Sequence, residues 1–182
     1  MRELSLHIMD IIENSISANA TLIELYIEED TSKNILTIKI KDNGKGIEEE
    51  MLKNITDPFV TSRTTRRVGL GLSLFESTCL RCNGSLKVYS MVNVGTEVVA
   101  TMEHNNIDRP PLGRIEDTVV SVLLNPKIDL LYQHTVNDKK FVLDSREIKR
   151  ILGSEDISSP EVLLWIKEYI KENLKEISGG AF

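Results

Sequence analysis

The 182 residues, 20.6 kDa, suffice for one good-sized domain, or for one domain and a small appendage, and are too few for three. With 41% hydrophobic and 27% charged residues the chain can bury a core; no apolar run approaches a membrane span, and the start is unlike a secretory signal, so a cytoplasmic protein is expected. A net charge of −6 and a pI near 5.2 argue against nucleic acid or an anionic membrane as partner, and two cysteines, Cys79 and Cys82, exclude a disulfide scaffold.

Leu4, Ile8, Ile11, Ile12, Ser15 and Ile16 recur at helical spacing and predict an opening helix with one apolar face. Leu22 to Glu28 and Ile35 to Lys41 alternate apolar and polar residues around turn composition at 30–34, which predicts a hairpin. A glycine loop, Asp42-Asn43-Gly44-Lys45-Gly46, follows, then a short helix over Glu48 to Ile55 and an irregular loop over Asp57 to Val68. Leu70 to Leu80 reads as a helix ended by Gly84, and Ser85 to Ser90 and Glu97 to Met102 as strands joined at Asn93-Val94-Gly95. The order implies a two-layer α/β sandwich, helices on one face of a mixed or antiparallel sheet.

Polar residues and Pro110-Pro111 make 104–111 a connector between residues 1–103 and a small α/β region, 112–182. That region reads as a helix over Arg114 to Leu124, a hairpin of Asp129 to Thr135 and Lys140 to Leu143, a short helix over Arg146 to Leu152, and a closing helix. Ser159 caps the last, Pro160 occupies its first turn, and Val162, Ile166, Ile170 and Leu174 form its apolar stripe.

Four segments of the first region carry polar residues and glycines that a plain sandwich does not need. Asp10 and Asn14, four apart, project from one helix face, which suits either a hydrated Mg²⁺ or plain solvation. Asp42-Asn43-Gly44-Lys45-Gly46-Ile47 lets backbone approach a flat ligand while the carboxylate accepts from an exocyclic amine, and the same run would serve as an ordinary turn. Gly69-Leu70-Gly71-Leu72-Ser73 opens a helix, whose free N–H groups favour an anion, with Arg63, Arg66 and Arg67 just upstream. Gly95-Thr96 enters the last strand of the region.

In order and spacing, these segments resemble the nucleotide-binding fold shared by DNA gyrase, Hsp90-type chaperones, histidine kinases and MutL-type repair proteins, the GHKL superfamily with its Bergerat fold. Ile11 to Ser15 with Ala18 to Thr21 resembles its N box, Asp42 to Ile47 its G1 box, Asp57 to Arg63 its F box and Gly69 to Ser73 its G2 box. The resemblance spans about residues 1–103. It implies ATP and Mg²⁺ as cofactors, with Asn14 on the metal, Asp42 on the adenine amine, and Gly44, Gly46 and Ile47 shaping the adenine pocket. It further implies Thr96 reaching adenine through water, Gly69, Leu70, Gly71 and Leu72 at the phosphates, and Arg63, Arg66 or Arg67 on a short lid.

Asp10 stands where family members that hydrolyse ATP or phosphorylate serine resemble one another in a carboxylate base, usually Glu; Asp is one methylene shorter, and Glu13 is the rival. Two readings follow. One is a stand-alone regulatory kinase or slow ATPase acting on an unidentified protein client, a homodimer among its possible states; the other is a non-catalytic, nucleotide-gated switch. A complete histidine kinase is not expected, and a MutL-like repair fragment is the weaker third reading, needing Lys127, Lys139 or Lys140 over the site. Cys79 and Cys82 read as packing residues, His7 as a helix residue, and Trp165 as a core or docking anchor.

Overall fold

The computed structural model describes residues 3–56 and 70–180. Strict alternation sorts the strand side chains onto two faces. Ile23, Leu25 and Ile27 of β1 (Leu22–Asp30), Leu36, Ile38 and Ile40 of β2 (Ile35–Asp42), and Val98, Ala100 and Met102 of β4 (Gly95–Glu103) are buried. Their neighbours in between are less so, and Lys41 pairs with Glu24 while Lys39 lies over the Tyr26 ring on the open face. With β3 (Ser85–Met91), β5 (Asp129–Val136) and β6 (Lys139–Asp144) these make a six-stranded sheet ordered β3-β4-β2-β1-β5-β6. Every adjacent pair is antiparallel except β1 and β5, which run parallel with Leu22 opposite Asp129. The 112–182 region therefore adds its hairpin to the sheet of the first region.

Each of the three hairpins turns through an asparagine with positive φ, Asn34, Asn93 and Asn137, a conformation asparagine tolerates better than most residues. Helices α1 (Leu4–Ser17), α3 (Leu70–Arg81), α4 (Ile115–Leu123) and α6 (Pro160–Ile177) lie against the apolar face, and one hydrophobic cluster joins them to the strands. The short helices are α2 (Glu49–Leu52), a single turn where eight residues were expected, and α5 (Ser145–Leu152). The acidic run Glu48-Glu49-Glu50 gives α2 no buried side chain to hold a longer helix. The loop expected over 57–68 lies outside the described residues. No helix among the described residues is long and apolar enough to cross a membrane.

Two polar joints knit the parts together. Backbone N–H groups of Leu4 and Ser5, orphans at the start of α1, donate to the carbonyls of Pro111 and Leu112 at 2.9 and 2.8 Å. Across the sheet, Glu29 receives His104 Nε2 at 2.7 Å and His134 Nε2 at 2.8 Å. With that nitrogen donating, Nδ1 of the buried His134 is left to accept from the Tyr132 hydroxyl at 2.9 Å. Burial alone would raise the Glu29 carboxyl, but the bonds from His134 and His104 hold it below the usual range.

Between α1 and α3, the buried His7 ring stacks on Phe75 with centroids 4.9 Å apart. Thr78 donates its hydroxyl proton to Leu74 O, so His7 Nε2 donates to Thr78 Oγ1, at 3.2 Å. Burial, with Arg81 nearby, lowers the His7 pKa from 6.5 to about 4. The unfolded chain thus takes up a proton at His7 near pH 6.5 that the folded protein refuses until about pH 4, so stability falls as the pH drops through that window. His7→Phe keeps the stack and removes the titration. In urea unfolding at pH 7 and pH 5, wild type is expected to lose about 1–2 kcal/mol more than this variant on acidification, and equal losses would show that His7 does not carry the acid sensitivity.

Candidate functional site

Asp42 ends β2 at the rim of the sheet, opposite Thr96 of β4 in register, so both side chains project from one face. Its carboxylate is largely buried; Oδ2 accepts the Ser15 hydroxyl from α1 at 2.6 Å and Oδ1 accepts the Gly44 N–H at 2.8 Å. The loop that follows is sewn to its neighbours on both sides. Lys45 N–H donates to Ala18 O, Asn93 N–H donates to Lys45 O, and Asn43 Oδ1 accepts from the N–H groups of Thr21 and Leu22. Ile47 N–H donates to Ser90 Oγ, which lies 2.9 Å from Thr96 Oγ1, so loop and strand share one polar line.

The glycines here answer to close approach. A Cβ on Gly44 would stand 2.9 Å from both Cβ and O of Ala18, and one on Gly46, whose φ is +72°, would run into the Met91 carbonyl. The sequence thus places Asp42, Gly44, Gly46, Ile47 and Thr96 at one rim, and the structure brings them together.

Asp10 and Asn14 rise one turn apart on α1, Asp10 partly buried and Asn14 exposed. Neither side chain makes a hydrogen bond among the described residues, so both offer free hard oxygen atoms on one helix face. Burial and then the charge of Glu13 raise the Asp10 pKa above its ordinary value. The first turn of α3 presses directly on this carboxylate: a Cβ on Gly71 would lie 3.0 Å from Asp10 Cβ and 3.2 Å from Oδ2. Leu70 and Leu72 occupy the same turn, Leu70 exposed and Leu72 half-buried. Arg63 and Gly69 lie outside the described residues.

Ser15 had no role assigned from sequence, where it sat in the apolar stripe of α1; a lone hydroxyl at a core position was the signal that it serves a buried acceptor. Ser90 and Asn43 carried no pattern of their own. Cys79 and Cys82 are buried, and burial pushes the Cys79 thiol up to about 12, far from a reactive thiolate.

Residues 2–106 match the family described as Histidine kinase-, DNA gyrase B-, and HSP90-like ATPase. Sporulation kinase D of Bacillus subtilis (strain 168) is 46% identical over 65 residues, 36% of this chain and 13% of that protein. The sensor histidine kinase YvrG of the same organism is 29% identical over 93 residues, 49% of this chain and 16% of that protein. The chain therefore spans only a small part of the length of these relatives. Among solved structures, the Aquifex aeolicus MutL ATPase domain complexed with ADP is similar with a TM-score of 0.52 at 16% identity, covering 85% of this chain and 70% of that one. The N-terminal domain of a DNA repair protein is similar at 0.55 and 19% identity, covering 79% and 53%, and both likenesses concern the fold. With the family match running over more than half of its residues and the α1, β2-loop and α3 segments meeting at one rim, the chain belongs to the histidine kinase-, DNA gyrase B- and HSP90-like ATPases.

Proposed function

We propose that this chain binds Mg-ATP at the rim formed by α1, the 42–47 loop and the start of α3, and uses it in the cytoplasm as a regulatory protein kinase or slow ATPase acting on a protein client, alone or with a second copy. The observation that carries the chemistry is Asp10: a carboxylate of raised proton affinity, one turn before Asn14, packed on Gly71 where the N–H end of α3 begins. Asp42 accepts the adenine amine beside its bonds to Ser15 and Gly44, Gly44, Gly46 and Ile47 line the base, and Thr96 reaches it through water. Backbone N–H groups of Gly69, Leu70, Gly71 and Leu72 hold phosphate oxygens, with Arg63 supplying positive charge.

Asn14, with its free amide oxygen, suits a magnesium ion, and no group of three His, Cys, Asp or Glu among the described residues forms a metal cage. An ion held by one or two protein oxygens shared with phosphates is the usual magnesium arrangement, and it would neutralise charge on the phosphates. Asp10 then takes the proton from the attacking water or client hydroxyl, and burial that raises its pKa makes it the stronger base.

The second reading, a nucleotide-gated switch without turnover, is favoured by the bonds from Leu4 and Ser5 to Pro111 and Leu112, which couple the helix bearing Asp10 and Asn14 to the 112–182 region.

Three substitutions separate binding from chemistry. Asp42→Asn keeps an acceptor for Gly44 N–H, so the fold is expected to stand while ATP affinity falls about 10- to 100-fold in calorimetric titration; unchanged affinity would remove the adenine assignment. Asp10→Asn is expected to leave Mg-ATP binding within about threefold and to cut ADP release at least about 100-fold. Unchanged turnover places the base elsewhere, and binding with no ADP release from wild type or from wild type plus client supports the switch. Gly71→Ala favours helix formation yet pushes a methyl group against Asp10, so a melting temperature held or raised with turnover down at least about tenfold is expected; full turnover would show that the Asp10 carboxylate need not sit there.

A further inference from the structure

At the C-terminal edge of the sheet, β6 pairs with β5 alone, and beside it α6 leaves two aromatic rings bare. Trp165 is 55% exposed and stacks on Tyr169 with centroids 5.2 Å apart; Tyr169 in turn meets the edge of Phe141 on β6 at 5.6 Å. On the other side of α6, Lys167 binds Asp117 of α4, so the Trp165–Tyr169 stack stands on the side that overhangs β6. The opposite sheet edge is less open, because the last residues of β3 are flanked by α2 and by the loop whose Ile47 donates to Ser90.

We infer that β6 is the seam of a homodimer in which two copies pair antiparallel, β6 against β6, about a two-fold axis at Val142. Phe141 and Leu143 are buried toward the helices, while Lys140, Val142 and Asp144 belong to the open face. Centring on Val142, itself 44% exposed, sets it against its own copy, Phe141 against Leu143, and Lys140 against Asp144. Apolar meets apolar and cation meets carboxylate. Centring on Phe141 or Leu143 instead sets Val142 against Lys140 or Asp144, and a one-residue slip turns core side chains toward side chains of the open face.

Lys140 has no ion pair among the described residues, whereas Asp144 already accepts from Arg146 but keeps lone pairs for one more donor. Lysines on an edge commonly repel a second strand; here Lys139 and Lys140 occupy only one end, and the antiparallel mate sets Asp144 against Lys140. Helices of both copies then lie on the same face of one continuous sheet, and the two Trp165–Tyr169 stacks fill the groove between the α6 helices. The pairing does not depend on ATP.

Sedimentation of the 182-residue chain from about 1 μM to about 0.5 mM is expected to give twice the 20.6 kDa mass at the upper end, with emission of the single tryptophan moving to the red on dilution. Val142→Cys is expected to form a disulfide-linked dimer under mild oxidation, since directly opposed antiparallel residues stand at disulfide distance, while Lys139→Cys does not. Cys79 and Cys82 are buried and do not compete. Val142→Lys is expected to be a monomer with unchanged circular dichroism and unchanged ATP affinity. A single-chain mass for wild type at about 0.5 mM overturns the homodimer and leaves β6 to an extended segment of another protein; a dimer that Val142→Lys does not split and Val142→Cys does not link overturns the seam.

Discussion

The Ser15 hydroxyl and the Asp42 carboxylate meet at 2.6 Å, and through that bond α1 is held at a set height over the rim of the sheet. One residue earlier Asn14 faces solvent, and one turn before that Asp10 lies under Gly71 of α3. Still nearer the start, His7 stacks on Phe75, and the first N–H groups end on Pro111 and Leu112. Asp42, Gly44 and Gly71 are thus positioned against a single helix and its cap, and small residues stand where another segment crosses it: Gly71 over Asp10, Gly44 over Ala18. Packing this close transmits displacement, because cores of native density have no slack to absorb it.

Charge is handled differently at the two ends of the sheet. At the Asp42 end, the Asp42 carboxylate is served by one hydroxyl and one N–H, and Asp10 makes no hydrogen bond among the described residues. At the other end, Glu29 takes its two donors from His104 and His134, with Tyr132 behind them, and serves the joint between β1, the 104–111 segment and β5. The Glu29 network joins three segments and rigidifies their meeting point, whereas the Asp42 carboxylate stands at the rim.

Much of this was legible in the sequence because it is local. Alternation in β1, β2, β4 and β5, the helical stripe of α1, and the Ser159-Pro160 start of α6 all describe residues within a few positions of one another. The rim residues were legible as well, through glycines and an acid at a strand end. Partnerships between distant segments were not: Glu29 reads as one more acid on a half-exposed strand, and nothing in its neighbours announces two histidines arriving from positions 104 and 134. The pairing of β5 with β1 was hidden for the same reason, since alternation specifies which face a strand buries and is silent about which strand lies beside it.

That pairing has a consequence for how the chain acquires its structure. The segments from α1 to β4 can assemble from contacts within the first hundred or so residues, yet β1 keeps one backbone edge unpaired until Asp129 to Val136 arrive. During synthesis the strand bearing Ile23, Leu25 and Ile27 waits, with N–H and C=O groups along one side paired only with water, for a partner made much later. Loop closure over that distance is slow compared with hairpin formation, so this edge of β1 is covered after the β1–β2 hairpin has formed.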